Sequence, residues 1–125
     1  MILVFGGAYQ GKKEFVATKF GYSLEDMYQC TEKDEIDFSK PVITDLGSYV
    51  LGAIRRGENP LNFVLSNKAK FKDKIIVITD VGSGIVPISK EQRLFRDNIG
   101  KITQILSRES TEVYRLFCGI GEKLK

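Results

Sequence analysis

Residues 6–12, with the sequence GGAYQGK, have the G-x-x-x-x-G-K spacing of a phosphate-binding loop. Glycines at both ends of this motif allow the backbone to curl so that successive N–H groups point at an anion. The ammonium group of Lys12 would reach the outer phosphates as a point charge. We therefore predict a nucleotide site formed by the following residues: Gly6, Gly7, Ala8, Tyr9, Gln10, Gly11, Lys12 and Lys13.

The residue after Lys12 departs from the usual pattern. A loop of this type carries Ser or Thr there, whose hydroxyl binds Mg²⁺, whereas this chain has Lys13. We expect the loss of that hydroxyl to weaken the metal site, and a second ammonium group to tighten anion binding while competing with the metal. The alternative is an ordinary tight turn between a strand and a helix, with both lysines merely solvated. Tyr9 would either cover a base or ring, or be an exposed loop aromatic.

Two aspartates follow other apolar runs in the chain. Asp45 closes the run VIT, and Asp80 closes the run KIIVIT. Ligands of open α/β sheets bind beyond the carboxyl ends of the strands, so both carboxylates would face the phosphates if their strands flank the first one. One would then hold Mg²⁺, and the other would orient or deprotonate an attacking hydroxyl. The alternative is that Asp45 caps a helix and Asp80 begins a turn, both common roles of Asp.

Predicted strands and helices alternate along the chain. The strands are predicted at 2–5, 27–30, 42–44, 74–79 and 112–118. The helices are predicted at 12 to about 20, 46 to about 56, 60 to about 71 and 89 to about 108. This alternation predicts an α/β fold with a mostly parallel sheet and helices on both faces, as a single nucleotide-binding domain over residues 1–125.

Four local features carry more specific expectations. Ser89 and Gln92 have the spacing of a capping box at the start of the last helix. Gly100, inside that helix, would be unfavourable unless another backbone packs closely there. Residues 31–40 are mostly charged and are predicted to be a surface connection, and residues 119–125 to be a short tail.

Composition excludes several classes of protein. The net charge of +3 is too small to indicate nucleic acid binding, and no segment resembles a signal peptide or a membrane span, so we expect a cytoplasmic location. Cys30 and Cys118 lack metal-binding or redox spacing and are predicted to be reduced thiols that fill the core. The absence of histidine excludes Ser-His and Cys-His nucleophile systems from this chain.

Several segments resemble one enzyme family. The stretches ITDVGSGIVP, LFRDNIGKITQ and CGIGEKLK, with the opening ILVFGGAYQGKK, are similar to those of the bifunctional adenosylcobinamide kinase and adenosylcobinamide-phosphate guanylyltransferase family of cobalamin biosynthesis. The resemblance implies a RecA-like P-loop fold, ATP or GTP as the nucleotide, a corrinoid (cobinamide) substrate and a homotrimer. It also implies that Gly6, Gly7, Gly11 and Lys12 hold phosphates, and that Asp45 and Asp80 stand where the family has an acidic residue.

The departures from this family limit the expected activity. The family transfers GMP through a guanylylated histidine between the second and third strands, and here that region is shortened to residues 30–40 in a chain without histidine. We therefore expect no histidine-dependent guanylyl transfer, and a kinase activity reduced by Lys13. A noncatalytic nucleotide- or phosphate-binding module is the alternative. A fold that has lost every ligand is a third interpretation.

Overall fold

The structure, a computed structural model, describes residues 1–80 and 89–125. Strands β1 to β6 are Ile2–Gly6, Met27–Gln29, Val42–Thr44, Ile75–Thr79, Glu112–Phe117 and Ile120–Lys123. Helices α1 to α5 are Lys12–Phe20, Leu46–Arg55, Pro60–Ser66, Lys68–Phe71 and Lys90–Glu109. The Gly-rich stretch VGSGIVP, at 81–87, lies outside the described residues. Ser89 and Gln92 form the predicted capping box of α5.

The six strands form one sheet in the order β2-β3-β4-β1-β5-β6. Every neighbouring pair is parallel except β5 and β6, which are antiparallel. Helix α1 packs on one face of the sheet through Val16, and α2 to α5 pack on the other face around a core that includes Leu46, Phe71 and Ile102. This arrangement confirms the predicted α/β fold with a mostly parallel sheet and helices on both faces.

The strand order corrects one premise about the two aspartates. Strand β4, which Asp80 follows, pairs with β1, whereas β3, which Asp45 follows, pairs with β4 and is one strand removed from β1. The other side of β1 is taken by β5, from the end of the chain. The condition that both strands flank β1 is therefore met for the strand of Asp80 but not for the strand of Asp45.

The residues after β5 form a sixth strand instead of the predicted tail. Cys118 and Gly119 have φ angles of 51° and 77°, and positive values at both central residues are typical of a two-residue type I′ turn. This turn, called the hairpin turn below, reverses the chain so that Phe117 pairs with Ile120. Strand β6 then lies so close to α1 that a Cβ added at Gly121 would overlap the ring of Phe15.

The helix predicted from 60 to about 71 is broken into two. It starts as expected, since Pro60 is its first residue and the Asn59 side chain accepts hydrogen bonds from backbone N–H groups of the first turn. The break falls at Asn67, whose side-chain amide donates a hydrogen bond of 2.7 Å to the Phe63 carbonyl oxygen. Such a side-chain bond competes with helix continuation, and the backbone of Asn67 (φ −115°, ψ 20°) leaves the helical region.

The mostly exposed residues 31–40 make specific contacts with the helices beneath them. The ring of Phe38 meets the ring of Phe71 edge-on, with centroids 5.1 Å apart. A Cβ added at Gly52, in α2, would overlap the Glu32 carbonyl group, and the Arg56 guanidinium donates a hydrogen bond to that same oxygen. The segment is mostly exposed and has no helix or strand, which confirms the predicted surface connection, and these contacts also dock it on α2.

The two cysteines differ in environment. Cys30 is buried in the core, as predicted, and burial raises the pKa of its thiol to about 12. Cys118 is exposed in the hairpin turn, so the predicted core position is wrong for this residue. In the part of the chain that the structure describes, no helix has the length and apolar character needed to cross a membrane.

Gly100 supports a first prediction, on stability. It is exposed, and among the described residues no atom outside its own helix lies within 4 Å of an added Cβ. The prediction that another backbone segment packs closely on Gly100 is therefore wrong for the described residues. Gly100→Ala is expected to raise the free energy of unfolding by about 0.5–1 kcal/mol, the usual difference between these residues in a helix interior. Urea unfolding followed by circular dichroism measures this change. A lower free energy of unfolding in the variant would contradict it.

Candidate nucleotide site

A glycine-containing loop connects β1 to α1. Strand β1 ends at Gly6 and α1 begins at Lys12, so the motif connects a buried central strand to a helix N-terminus. Gly11 and Tyr9 both have left-handed backbone conformations, with φ angles of 83° and 60°. This conformation is unfavourable for Tyr9, whose side chain is fully exposed. Residues 6–13 are called the phosphate loop below.

Gly6 has a different role from the one expected. Gly6 does not have a positive φ angle, whereas Gly11 does. The left-handed backbone conformation that favours glycine therefore occurs at Gly11 and not at Gly6. A Cβ added at Gly6 would instead lie 2.5 Å from the carbonyl oxygen of Leu116 in β5. Glycine is required at this position because the neighbouring strand leaves no space for a side chain.

The ammonium group of Lys12 is turned back towards the phosphate loop. It donates a hydrogen bond of 2.6 Å to the carbonyl oxygen of Gly7, and the residue is only 9% exposed. Burial lowers the pKa of Lys12, while the nearby Asp45 carboxylate acts in the opposite direction. A largely buried cation is thus held against the backbone of the loop.

Lys13, the last residue of the phosphate loop, has a different partner. Its ammonium group donates a 3.2 Å hydrogen bond to the side-chain oxygen of Gln29, the last residue of β2. Among the ion pairs of the described residues, none with a nitrogen–oxygen distance up to 4.0 Å involves Lys12 or Lys13. Two positive charges therefore adjoin the loop without a carboxylate bound directly to either.

Asp45 stands at the N-terminus of α2 without capping it. Its backbone is left-handed, with a φ of 56°, and its side chain makes no hydrogen bond to a helix N–H group. The carboxylate instead accepts a 2.8 Å hydrogen bond from the Ser48 hydroxyl. The capping alternative is therefore wrong for the side chain of Asp45, and this residue lines the same cavity as the phosphate loop.

Asp80 is less closely associated with the loop. It is exposed, and its backbone N–H donates a 2.8 Å hydrogen bond to the Gly6 carbonyl oxygen, extending the pairing of β1 and β4. Thr79, the preceding residue, lines the cavity described next, whereas Asp80 is not among the described lining residues. The structure thus brings Lys12, Lys13 and Asp45 together but does not add Asp80 to them.

A cavity of about 480 Å³ lies over the phosphate loop. This volume is within the range of small-molecule sites in proteins, about 300–1,000 Å³. Its lining consists of Ala8, Tyr9, Gln10, Gly11, Lys12, Lys13, Glu14, Gln29, Asp45, Val77 and Thr79. Gln29 and Thr79 were not predicted as site residues, although each ends a strand and the rule for carboxyl ends of strands applies to them. A space large enough for a small ligand is therefore open beside the loop.

The described residues do not complete a magnesium site on their own. They contain no group of three or more His, Cys, Asp or Glu side chains placed to hold a metal. Lys13 also occupies the position of the usual hydroxyl ligand. Magnesium at such sites is bound through one or two carboxylates together with substrate phosphates, so most ligands would have to come from the nucleotide. Binding of Mg²⁺ by Asp45 and Asp80 stays a prediction.

Comparison with known proteins relates the second half of the chain to one family. Residues 53–124 match the family model described as cobinamide kinase / cobinamide phosphate guanyltransferase. The bifunctional adenosylcobalamin biosynthesis protein CobU of Escherichia coli strain K12 is 43% identical over 53 residues, which are 42% of this chain and 29% of that protein. Its counterpart in Salmonella typhimurium strain LT2 is 42% identical over the same shares. The aligned residues thus span less than a third of these relatives.

The family match and the candidate site occupy different parts of the chain. The matched residues begin within α2 and extend through β6. The phosphate loop and Asp45 precede them, so the evidence for the site is the geometry of the loop itself.

Proposed function

Because the chain belongs to the cobinamide kinase / cobinamide phosphate guanyltransferase family, we propose that it binds ATP or GTP by its phosphates in the phosphate loop. The observation that carries this proposal is the buried Lys12 ammonium at the Gly7 carbonyl, beside an open cavity that Lys13 also lines. The residues proposed to hold the phosphates are Gly6, Gly7, Ala8, Tyr9, Gln10, Gly11, Lys12 and Lys13.

Each part of the loop would contribute to phosphate binding. Backbone N–H groups of the curl and the N-terminus of α1 favour a negative charge. A phosphate oxygen offers Lys12 a charged acceptor in place of the neutral Gly7 carbonyl, and charge-assisted hydrogen bonds are the stronger kind. Lys13 would neutralise charge where related loops place Mg²⁺. We therefore infer that metal-free nucleotide binds well to this chain.

The proposed reaction is a kinase reaction of reduced rate, with a corrinoid hydroxyl as acceptor. The acceptor oxygen forms a bond to the γ-phosphorus, the bond between that phosphorus and the bridging β–γ oxygen breaks, and the hydroxyl proton moves to a carboxylate. Asp45 is suited to accept the proton because it lines the cavity and is oriented by Ser48. Asp80 is proposed as a second carboxylate of this site. Transfer of GMP through histidine is excluded from the proposal because the chain has no histidine.

Lys13→Ser tests the role of the second lysine. Isothermal titration calorimetry with ATP and GTP, with and without Mg²⁺, is expected to show little metal dependence in the unaltered protein. In Lys13→Ser, the affinity for nucleotide without metal should fall roughly 3- to 10-fold, because one partly exposed charged hydrogen bond is lost. Addition of Mg²⁺ should restore the nucleotide affinity of this variant. Lys19→Ser, in the last turn of the same helix, is the matched control. Strong metal dependence in the unaltered protein would contradict the proposed role of Lys13.

The same titration, combined with an assay of γ-phosphate transfer to cobinamide, separates the kinase from a noncatalytic module. Lys13 favours the module, whereas the position of Asp45 in the cavity favours the kinase. Nucleotide binding with no transfer of γ-phosphate to cobinamide, at any Mg²⁺ concentration, would leave the noncatalytic function. Absence of affinity for ATP, GTP and inorganic phosphate would overturn the whole proposal. The homotrimer implied by the resemblance remains part of the proposal, and light scattering of the purified protein tests it.

A further inference from the structure

The hairpin turn holds the phosphate loop at Gln10. The backbone N–H of Gly119 donates a 3.0 Å hydrogen bond to the Gln10 carbonyl oxygen. The backbone N–H of Cys118 donates a second hydrogen bond to the side-chain oxygen of Gln10. Two consecutive donors of one turn thus bind the main chain and the side chain of a single loop residue.

The packing around these hydrogen bonds is close. The Cα of Gly119 lies 3.5 Å from the position of a Cβ added at Gly11, and the Cγ of Gln10 lies 3.7 Å from that of a Cβ added at Gly7. The Gln10 side chain therefore extends from the Gly7 side of the loop to Cys118. Gly121 in β6 packs on Phe15 of α1, so the hairpin also contacts the helix that the loop leads into.

The loop needs support of this kind. Its amides must point at the ligand while remaining unbound to the rest of the chain, and a flexible loop would lose entropy on binding. Tyr9, next to Gln10, has an unfavourable positive φ, a conformation that persists only where the surroundings fix it. The two hydrogen bonds on Gln10 supply that fixation from a distant part of the sequence.

We propose that Gln10 is a positioning residue that couples anion binding in the phosphate loop to the order of the hairpin turn, an inference that rests on the proposed nucleotide site. The coupling is reciprocal, since a ligand that favours the held loop must also favour the held turn. Bound nucleotide therefore slows the opening of the Cys118 and Gly119 amides. Loss of the Gln10 side-chain acceptor uncouples the Cys118 amide while leaving the backbone bond of Gly119 intact.

Gln10→Met tests this coupling because methionine keeps the length of the side chain and removes the acceptor. ATP affinity, measured by calorimetry, is expected to fall roughly 3- to 10-fold, as for the loss of one hydrogen bond. Amide hydrogen exchange by NMR should show that saturating ATP protects Cys118 in the unaltered protein but not in Gln10→Met. Gln104→Met, at an exposed position of α5, is the control and should behave like the unaltered protein.

Gly119→Ala approaches the same contact from the turn. Space for the methyl group is open, but a φ of 77° is unfavourable for alanine, so the turn should loosen and ATP affinity should fall. The double variant should lose less affinity than the sum of the two single variants, because both act through one contact.

The outcomes separate the two proposals. If the unaltered protein binds neither ATP nor GTP, the proposed function fails and the role of Gln10 fails with it. If the unaltered protein binds nucleotide, and Gln10→Met binds it equally well with full protection of Cys118, the coupling alone is overturned.

Discussion

Lys12→Met is expected to weaken ATP binding roughly 30- to 100-fold, equivalent to a loss of about 2–3 kcal/mol, while the fold is retained. Methionine preserves the apolar stem of the side chain and removes the ammonium group that Gly7 holds in the loop. The free energy of unfolding should stay constant or rise, because burial of this ammonium is unfavourable. Calorimetry and urea unfolding measure both quantities, and Lys19→Met is the control in the same helix.

The pH dependence of ATP binding should identify the Lys12 ammonium as the group that binds the nucleotide. Burial lowers the pKa of Lys12 from its ordinary value of 10.5, so its ammonium is lost at a lower pH than that of an exposed lysine. Below the pKa of Lys12 in the folded state, the buried charge lowers the free energy of unfolding by its full amount. This destabilisation disappears as the pH rises from that pKa towards the pKa of Lys12 in the unfolded chain. ATP affinity should therefore fall with rising alkaline pH while the Lys12 contribution to stability improves. An identical affinity profile in Lys12→Met would contradict this assignment.

Gly52→Ala is expected to lower the free energy of unfolding by about 2 kcal/mol and to detach residues 31–40 from α2. The added methyl group would overlap the backbone carbonyl of Glu32, and a backbone group cannot move aside as a flexible side chain would. Overpacking of this kind costs typically 1–3 kcal/mol, partly offset by the better helix propensity of alanine. Displacement of residues 31–40 would also break the hydrogen bond from Arg56 to the Glu32 carbonyl oxygen and the hydrogen bond from the Tyr49 hydroxyl to Asp34.

Gly47→Ala provides the matched control for this prediction, because it lies in the same helix. An added Cβ there would meet the Phe95 ring at 3.6 Å, an ordinary van der Waals distance. The variant is expected to be neutral or up to about 1 kcal/mol more stable. Urea unfolding and the rate of proteolytic cleavage within 31–40 distinguish the two variants. Equal tolerance of both alanines, with unchanged cleavage, would show that the segment is not docked on α2.

The elements were predictable where the local pattern is strong. The apolar runs of β1, β3 and β4, the capping box at Ser89 and the helical spacing from Leu46 each depend on neighbours in sequence, and each element appears where it was predicted. Their arrangement depends on long-range pairing, which periodicity does not encode. Nothing near Asp45 indicates that β4 separates its strand from β1.

The misses have identifiable physical causes. The hairpin turn uses Cys118 and Gly119 in place of the Asn-Gly or Asp-Gly pairs that usually mark such turns, so β6 was predicted as a tail. In residues 31–40 the charged residues obscured Ile36 and Phe38, which pack against the core. A close neighbour is only one of the reasons why a helix contains glycine. Gly100 illustrates this, because no close neighbour among the described residues would meet a side chain at its position.

The candidate site also combines features that local sequence predicts with contacts that it does not. The phosphate-loop spacing predicted the passage from a strand to a helix, and the structure places Lys12 at the first residue of that helix, with its ammonium group on the Gly7 carbonyl oxygen. The contacts of Gln10 could not be predicted, because its side-chain partner Cys118 is 108 residues away in sequence. The reason for glycine at position 6 likewise comes from β5, at the other end of the chain.

The central place of β1 in the sheet has a consequence for synthesis of the protein. Ile2 pairs with Ile75 on one side and with Glu112 on the other, so both neighbours of β1 are translated long after it. Parallel strands cannot close as local hairpins, and distant pairings form slowly. We therefore expect the segment that carries Lys12 to be synthesised before either neighbour of β1, and the sheet around that strand to close only after β5 has been made.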